Sequence, residues 1–135
     1  ALSMVTCALD PRPVLCFAEV PGFCHFRRTL ELTRANPWSD LYMYMFAWPD
    51  RIDQAMRTLS YVELNNLASR IVCPTLISVG LVDELCLPST IYAAYNRIPA
   101  EEKKIVPCPF HGHEAGLMRE TMLEWVRTHL IASCA

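Results

Sequence analysis

Between Pro74 and Thr90 the chain reads Pro-Thr-Leu-Ile-Ser-Val-Gly-Leu-Val-Asp-Glu-Leu-Cys-Leu-Pro-Ser-Thr. Thr75 to Val79 is an apolar run of strand length, rich in β-formers, and Gly80 ends it in a loop. Pro88, whose fixed φ and missing N–H suit a first helical turn, opens a helix. The order strand, loop, helix leaves Asp83 just past the carboxyl end of the strand. In an open parallel sheet those ends are where ligands and catalytic side chains gather. Downstream, Ile105 to Cys108 makes another short strand, and the loop after it carries Phe110-His111-Gly112-His113-Glu114. An acid and then a histidine therefore stand at the ends of two neighbouring strands.

The other segments complete an α/β plan. Ala1 to Leu9 is apolar and helix-like, and Asp10-Pro11 stops it. Val14 to Val20 is a near-continuous apolar run, the pattern of a strand covered on both faces. Phe23 to Thr33 carries a helical stripe at 23, 26 and 30, with Arg27 and Arg28 beside it as a solvated or interface face. Ser39 is placed to cap a second helix, Asp40 to Trp48, which is apolar nearly all round and is expected to be buried or to meet another subunit. Asp50 is placed to cap a third helical stretch to Thr58, and Leu64 to Ala68 is a short further segment. So much helix between two strands exceeds a simple crossover and marks an insertion over the sheet. Ser89 to Ile98 is a helix stopped by Pro99, and Glu101 to Lys104 an exposed turn. Met118 to Leu130 is a closing helix with Met118, Met122, Trp125 or Val126, and Leu130 on one face. With right-handed crossovers the plan predicts about three parallel strands flanked by helices on both faces.

Composition narrows the function. A chain of 135 residues suits one domain. Net charge is −2, and ten Arg and two Lys are scattered along the sequence, so the basic stripe that nucleic-acid binding requires is missing and nucleic acid is not expected as a partner. Seven Cys, at 7, 16, 24, 73, 86, 108 and 134, form no Cys-x-x-Cys pair. That pattern favours reduced, buried thiols in a cytoplasmic protein over a disulfide framework or zinc site. Apolar runs fall far short of the roughly 18 residues that span a bilayer, and the first residues lack the charged start of a signal peptide, so no membrane partner is expected.

Asp83 and His113 suit acid–base chemistry: a carboxylate beside an imidazole fixes its tautomer and stabilises the imidazolium formed when it takes a nucleophile's proton. His111 is an alternative base, or a metal ligand with His113, Glu114 and Cys108, although zinc sites usually draw on two separated ligand clusters. Cys86 lies on the acid loop, but an active thiolate needs a positive, partly open surrounding, and its neighbours are Glu84 and Leu85. Ser3 falls in a helix body without flanking glycines. Hydrolases of the α/β type run serine, acid, histidine along the chain, with the serine in a Gly-x-Ser-x-Gly turn. Glycine occurs only at 22, 80, 112 and 116, so no such turn can be written.

Ala8-Leu9-Asp10-Pro11-Arg12, Glu19 to Arg28, Arg57-Thr58-Leu59-Ser60-Tyr61, Pro74 to Asp83, Pro88 to Asn96 and Gly112-His113-Glu114, spaced as they are, resemble the acetyl xylan esterases and cephalosporin-C deacetylases of carbohydrate esterase family seven. The resemblance implies a partial α/β-hydrolase fold in which residues 1–135 are the carboxyl-terminal part of a single domain. It places the nucleophilic serine upstream of residue 1, together with the backbone N–H groups of the oxyanion hole. It makes Asp83 the triad acid and His113 the triad base, leaves His111 outside the match, and implies no cofactor and no metal. Leu87 stands where family members commonly have a second proline. The implied activity is removal of acetyl groups from acetylated xylo-oligosaccharides and cephalosporin C by a cytoplasmic homo-oligomer, a hexamer in the family. A different expectation stands beside it, a non-catalytic fragment that serves as a binding or oligomerisation module.

Overall fold

The computed structural model describes residues 1–114, 116 and 118–131. Three parallel strands, β1 (Cys16–Glu19), β2 (Thr75–Gly80) and β3 (Lys103–Cys108), form one sheet in the order β1-β2-β3. Cys16 pairs with Thr75 and Thr75 with Lys103, so all three strands run out at the same edge. That edge carries the loops after Glu19, Gly80 and Cys108.

Helix α1 (Leu2–Leu9) precedes β1, and α2 (Phe26–Leu32), α3 (Trp38–Ala47), α4 (Ile52–Ser60) and α5 (Leu64–Leu67), with 3-10 turns at Pro49–Arg51 and Ala68–Arg70, fill the connection to β2. Helix α6 (Pro88–Asn96) follows β2, and α7 (Arg119–Val126) follows β3 before a π-turn at Arg127–Ile131. The expected α/β plan with its helical insertion is what the chain forms.

Side chains alternate across the sheet, and the two faces are covered differently. Cys16, Ala18, Ile77 and Val79 turn to one face and share a buried cluster with Met4 and Ala8 of α1, Leu64 and Leu67 of α5, and Ile91 and Ala94 of α6. On the other face Phe17 and Glu19 border Met118, Arg119 and Met122. β2, central in the sheet, is buried at every residue. The insertion has a small core of its own, in which Phe26, Leu30 and Trp38 are buried against Leu41, Met45 and Met56.

Several boundaries differ from those expected, each for a local reason. β1 begins at Cys16, where its pairing with β2 starts opposite Thr75, and Val14 before it is 63% exposed. The helix assigned to Phe23–Thr33 starts at Phe26; Phe23 lies in the left-handed region (φ 59°), and the His25 side chain accepts the N–H of Arg28. Ser39 does not cap its helix, which starts one residue earlier at Trp38. Asp50 lies inside a 3-10 turn rather than at a cap. Helix α3 is neither fully buried nor uniformly packed: Met43, Tyr44, Phe46 and Trp48 are exposed. Lys103 and Lys104 join β3 instead of forming a turn, since Lys103 Nζ donates to the carbonyls of Tyr95 and Ile98 at the end of α6 (3.3 and 2.6 Å). Among the described residues no helix is long and apolar enough to cross a membrane.

Candidate active site

The site is assembled by two loops at the carboxyl edge of the sheet. After Gly80 the chain turns at once, and Asp83 N–H donates to the Gly80 carbonyl at 3.2 Å. This turns the Asp83 side chain inward, where Oδ1 accepts the N–H groups of Leu85 and Cys86, both at 2.8 Å. An aspartate that bonds the backbone two and three residues on is a common loop-former. What sets this one apart is its second oxygen. Oδ2 faces His113 Nδ1 at 3.0 Å, and the carboxylate is wholly buried while the imidazole is 44% exposed.

The histidine loop is seated on the acid loop. Leu81 N–H donates to the Cys108 carbonyl and Val82 N–H to the His111 carbonyl, both at 3.1 Å. Phe110, in the left-handed region at φ 64° and 91% exposed, marks the sharp reversal of the loop. Contact is closest at Gly80: a Cβ placed there would lie 2.2 Å from the Gly112 carbonyl oxygen and 2.6 Å from that of His111. Only hydrogen fits between the two loops.

His111 and His113 part company in the structure. His111 Nδ1 lies 2.8 Å from Glu114 Oε2 at the surface, and that bond holds the Glu114 carboxyl below the usual carboxylate range. The metal grouping weighed as an alternative, around His111, His113, Glu114 and Cys108, is not the cluster that forms among the described residues. The ligand atoms that do converge, within 4.8 Å of one another, belong to Asp83, Cys86 and His113. Burial, and then the negative Asp83 beside it, push the Cys86 thiol up to about 12, so the sulfur is a protonated thiol at neutral pH and a poor ligand or nucleophile. Ser3 is an exposed residue of α1. The six described cysteines are free thiols, four of them buried; Cys134 lies outside the described residues.

Two supporting contacts escaped the sequence reading. Trp38 Nε1 donates to the Leu85 carbonyl at 2.8 Å, fastening the insertion to the acid loop. Arg28 Nε donates to Ser89 Oγ at 2.9 Å, fastening α2 to the start of α6. Both contacts join residues far apart in sequence, and no local pattern announces them.

Comparison with known proteins decides the family. The family model described as acetyl xylan esterase matches residues 1–129. The chain belongs to the acetyl xylan esterase family. Acetyl esterase Axe7A of Xylanibacter ruminicola is 34% identical over 115 residues, which is 84% of this chain and 25% of that protein. The acetyl xylan esterase of Paenibacillus sp. R4 superposes with a TM-score of 0.89 at 34% identity, over 96% of this chain and 42% of that one. Acetyl xylan esterase 1 of Thermoanaerobacterium sp. JW/SL YS485 superposes with a TM-score of 0.78 at 33% identity, over 90% of this chain and 40% of that one. The chain thus spans less than half the length of these family members. Its architecture is that of an α/β-hydrolase, with the carboxyl-edge loops where such a fold carries its chemistry.

Proposed function

We propose that Asp83 and His113 are the acid and base of a Ser-His-Asp acetyl esterase that removes acetyl groups from acetylated xylo-oligosaccharides and from cephalosporin C. The observation that carries this is the 3.0 Å contact between a buried Asp83 carboxylate and His113 Nδ1, which leaves Nε2 of the half-exposed ring to serve a nucleophile. The acid keeps one oxygen for the backbone and one for the histidine, so the ring is held in the tautomer with hydrogen on Nδ1 and a basic Nε2. Nε2 then takes the proton of the attacking hydroxyl and returns it to the departing sugar alcohol. A second half-reaction repeats the transfer with water and frees acetate. Because the chain contains no Gly-x-Ser-x-Gly turn, the serine has to come from residues outside these 135, in the same polypeptide or another. Exposed aromatic and methionine side chains along α3 support assembly with further copies.

The test is hydrolysis of a simple acetyl ester and of acetylated xylo-oligosaccharide by protein that includes the serine-bearing part. His113→Ala is expected to remove nearly all activity, and Asp83→Asn about 10⁴-fold, since an amide favours the wrong tautomer. The 135-residue chain alone is expected to match its own His113→Ala control. Activity in the longer protein that survives both substitutions defeats the proposal.

A further inference from the structure

The loop that carries His113 is held at two ends, and only the first belongs to the contacts described so far. On the amino side, Val82 N–H and the close approach at Gly80 fix His111 and Gly112. On the carboxyl side the restraint comes from the last residue of β1, 97 positions away: Glu19 Oε1 and Oε2 accept the N–H of Gly116 at 3.1 and 3.0 Å, and Oε1 also lies 3.5 Å from the N–H of Met118. A carboxylate shared between two backbone amides of one loop is a clamp, and a charged acceptor makes each bond about twice as strong as a neutral one. Glu19 is itself held. The next residue, Val20, is buried, lies in the left-handed region at φ 36°, and donates its N–H to the Ser78 carbonyl at 3.2 Å on the central strand. A β-branched residue persists there only where its surroundings over-determine it. The strand end that presents Glu19 is therefore built for one geometry.

We infer that Glu19 is a positioning residue for His113: by clamping the N–H groups of Gly116 and Met118 it fixes the far end of the histidine loop, so that Nδ1 meets Asp83. Glu19 touches neither Asp83 nor His113 in any hydrogen bond of the described residues. The inference rests on the acid–base reading of Asp83 and His113, and the experiment separates the two.

The measurement is the imidazole ¹⁵N shifts of His113, which report its tautomer, in alkaline solution, with amide exchange at Gly116 and Met118 read on the same samples. Wild type is expected to hold Nδ1–H with slow exchange at both amides. Glu19→Ala is expected to let the ring relax toward the usual excess of Nε2–H and to speed exchange of the two amides roughly tenfold or more. Glu19→Gln keeps an acceptor oxygen and is expected to restore the Nδ1–H tautomer, with exchange between the other two. A Glu19→Ala protein that unfolds at lower temperature yet keeps the Nδ1–H tautomer overturns the inference and leaves Glu19 a structural residue. Free exchange of Gly116 and Met118 in wild type overturns it as well, and needs no variant. If wild type and Asp83→Asn share one tautomer mixture, the acid–base reading fails first and the role of Glu19 falls with it.

Discussion

Replacing Gly80 by Ala tests how tightly the loops that carry Asp83 and His113 are joined. The new Cβ would lie 2.2 Å from the Gly112 carbonyl oxygen, 2.6 Å from that of His111 and 3.1 Å from the Gly112 carbonyl carbon. Ordinary carbon–oxygen contact begins about 1 Å further out, so something must move by about that distance. Gly80 cannot retreat easily, because it ends β2 in register with Cys108, and its carbonyl accepts the N–H of Asp83. All three obstructing atoms are backbone, so no side chain can rotate out of the way. The histidine loop is therefore what yields, and a shift of about 1 Å carries His113 Nδ1 from 3.0 Å to roughly 4 Å from Asp83 Oδ2, out of hydrogen-bond reach. Overpacking of this kind costs about 1–3 kcal/mol, and misplacing a catalytic group by that distance costs on the order of 10²-fold in rate. Urea unfolding of the chain measures the first quantity, and the imidazole ¹⁵N shifts of His113 report the broken contact. An unchanged midpoint together with an unchanged tautomer would refute the reasoning, for it would show that the loops can part without consequence.

Trp38→Phe removes the donor to the Leu85 carbonyl while leaving the aromatic packing of the insertion; a loss of about 1 kcal/mol in urea unfolding is expected, and no change in midpoint counts against the fastening role. Glu63, buried at the start of α5, has its carboxyl raised by desolvation, against the lowering effect of His25. The folded state therefore holds the proton more tightly than the unfolded one, and stability falls as pH rises from the ordinary glutamate value through the raised one. Glu63→Gln is expected to unfold at higher temperature than wild type near neutral pH, with the advantage fading below about pH 4, where both states are protonated; an advantage that persists in acid contradicts the assignment. With its thiol pushed up to about 12, Cys86 is expected to resist iodoacetamide in the native chain at neutral pH; peptide mapping that shows alkylation rising through the ordinary thiol range, near about 8.5, contradicts the buried environment.

How much of this was legible beforehand depended on how local the determining contact is. Thr75 to Gly80 is apolar enough to be a strand in almost any context, and Pro88 can open a helix without help from elsewhere, so Asp83 could be placed at a strand end from a few residues alone. The fold class followed from the same local signals, strand-length apolar runs separated by helices. Boundaries went astray where tertiary contact outbid local preference. Lys103 and Lys104 belong to β3 because Lys103 reaches the end of α6, and Ser39 and Asp50 are passed over as caps because their helices begin elsewhere. Helix α3 read from its composition as buried or as meeting another subunit, and the insertion packs only one side of it.

The sequence by itself determined the strand–loop–helix around Asp83, the acid-then-histidine order, the three parallel strands and the kinship of the chain, because each rests on short-range preferences or on the identity of residues in line. The resemblance already set His113 ahead of His111, and the tertiary structure adds the geometry that separates them: His113 faces a carboxylate 30 positions away, while His111 faces Glu114 at the surface. Only the tertiary structure exposed the backbone contact that leaves no room for a side chain at Gly80, and the reach of Glu19 across 97 residues to the histidine loop. Such contacts depend on where the strand ends meet in space. Spacing along the chain does not encode that distance; the pairing of β1, β2 and β3 does.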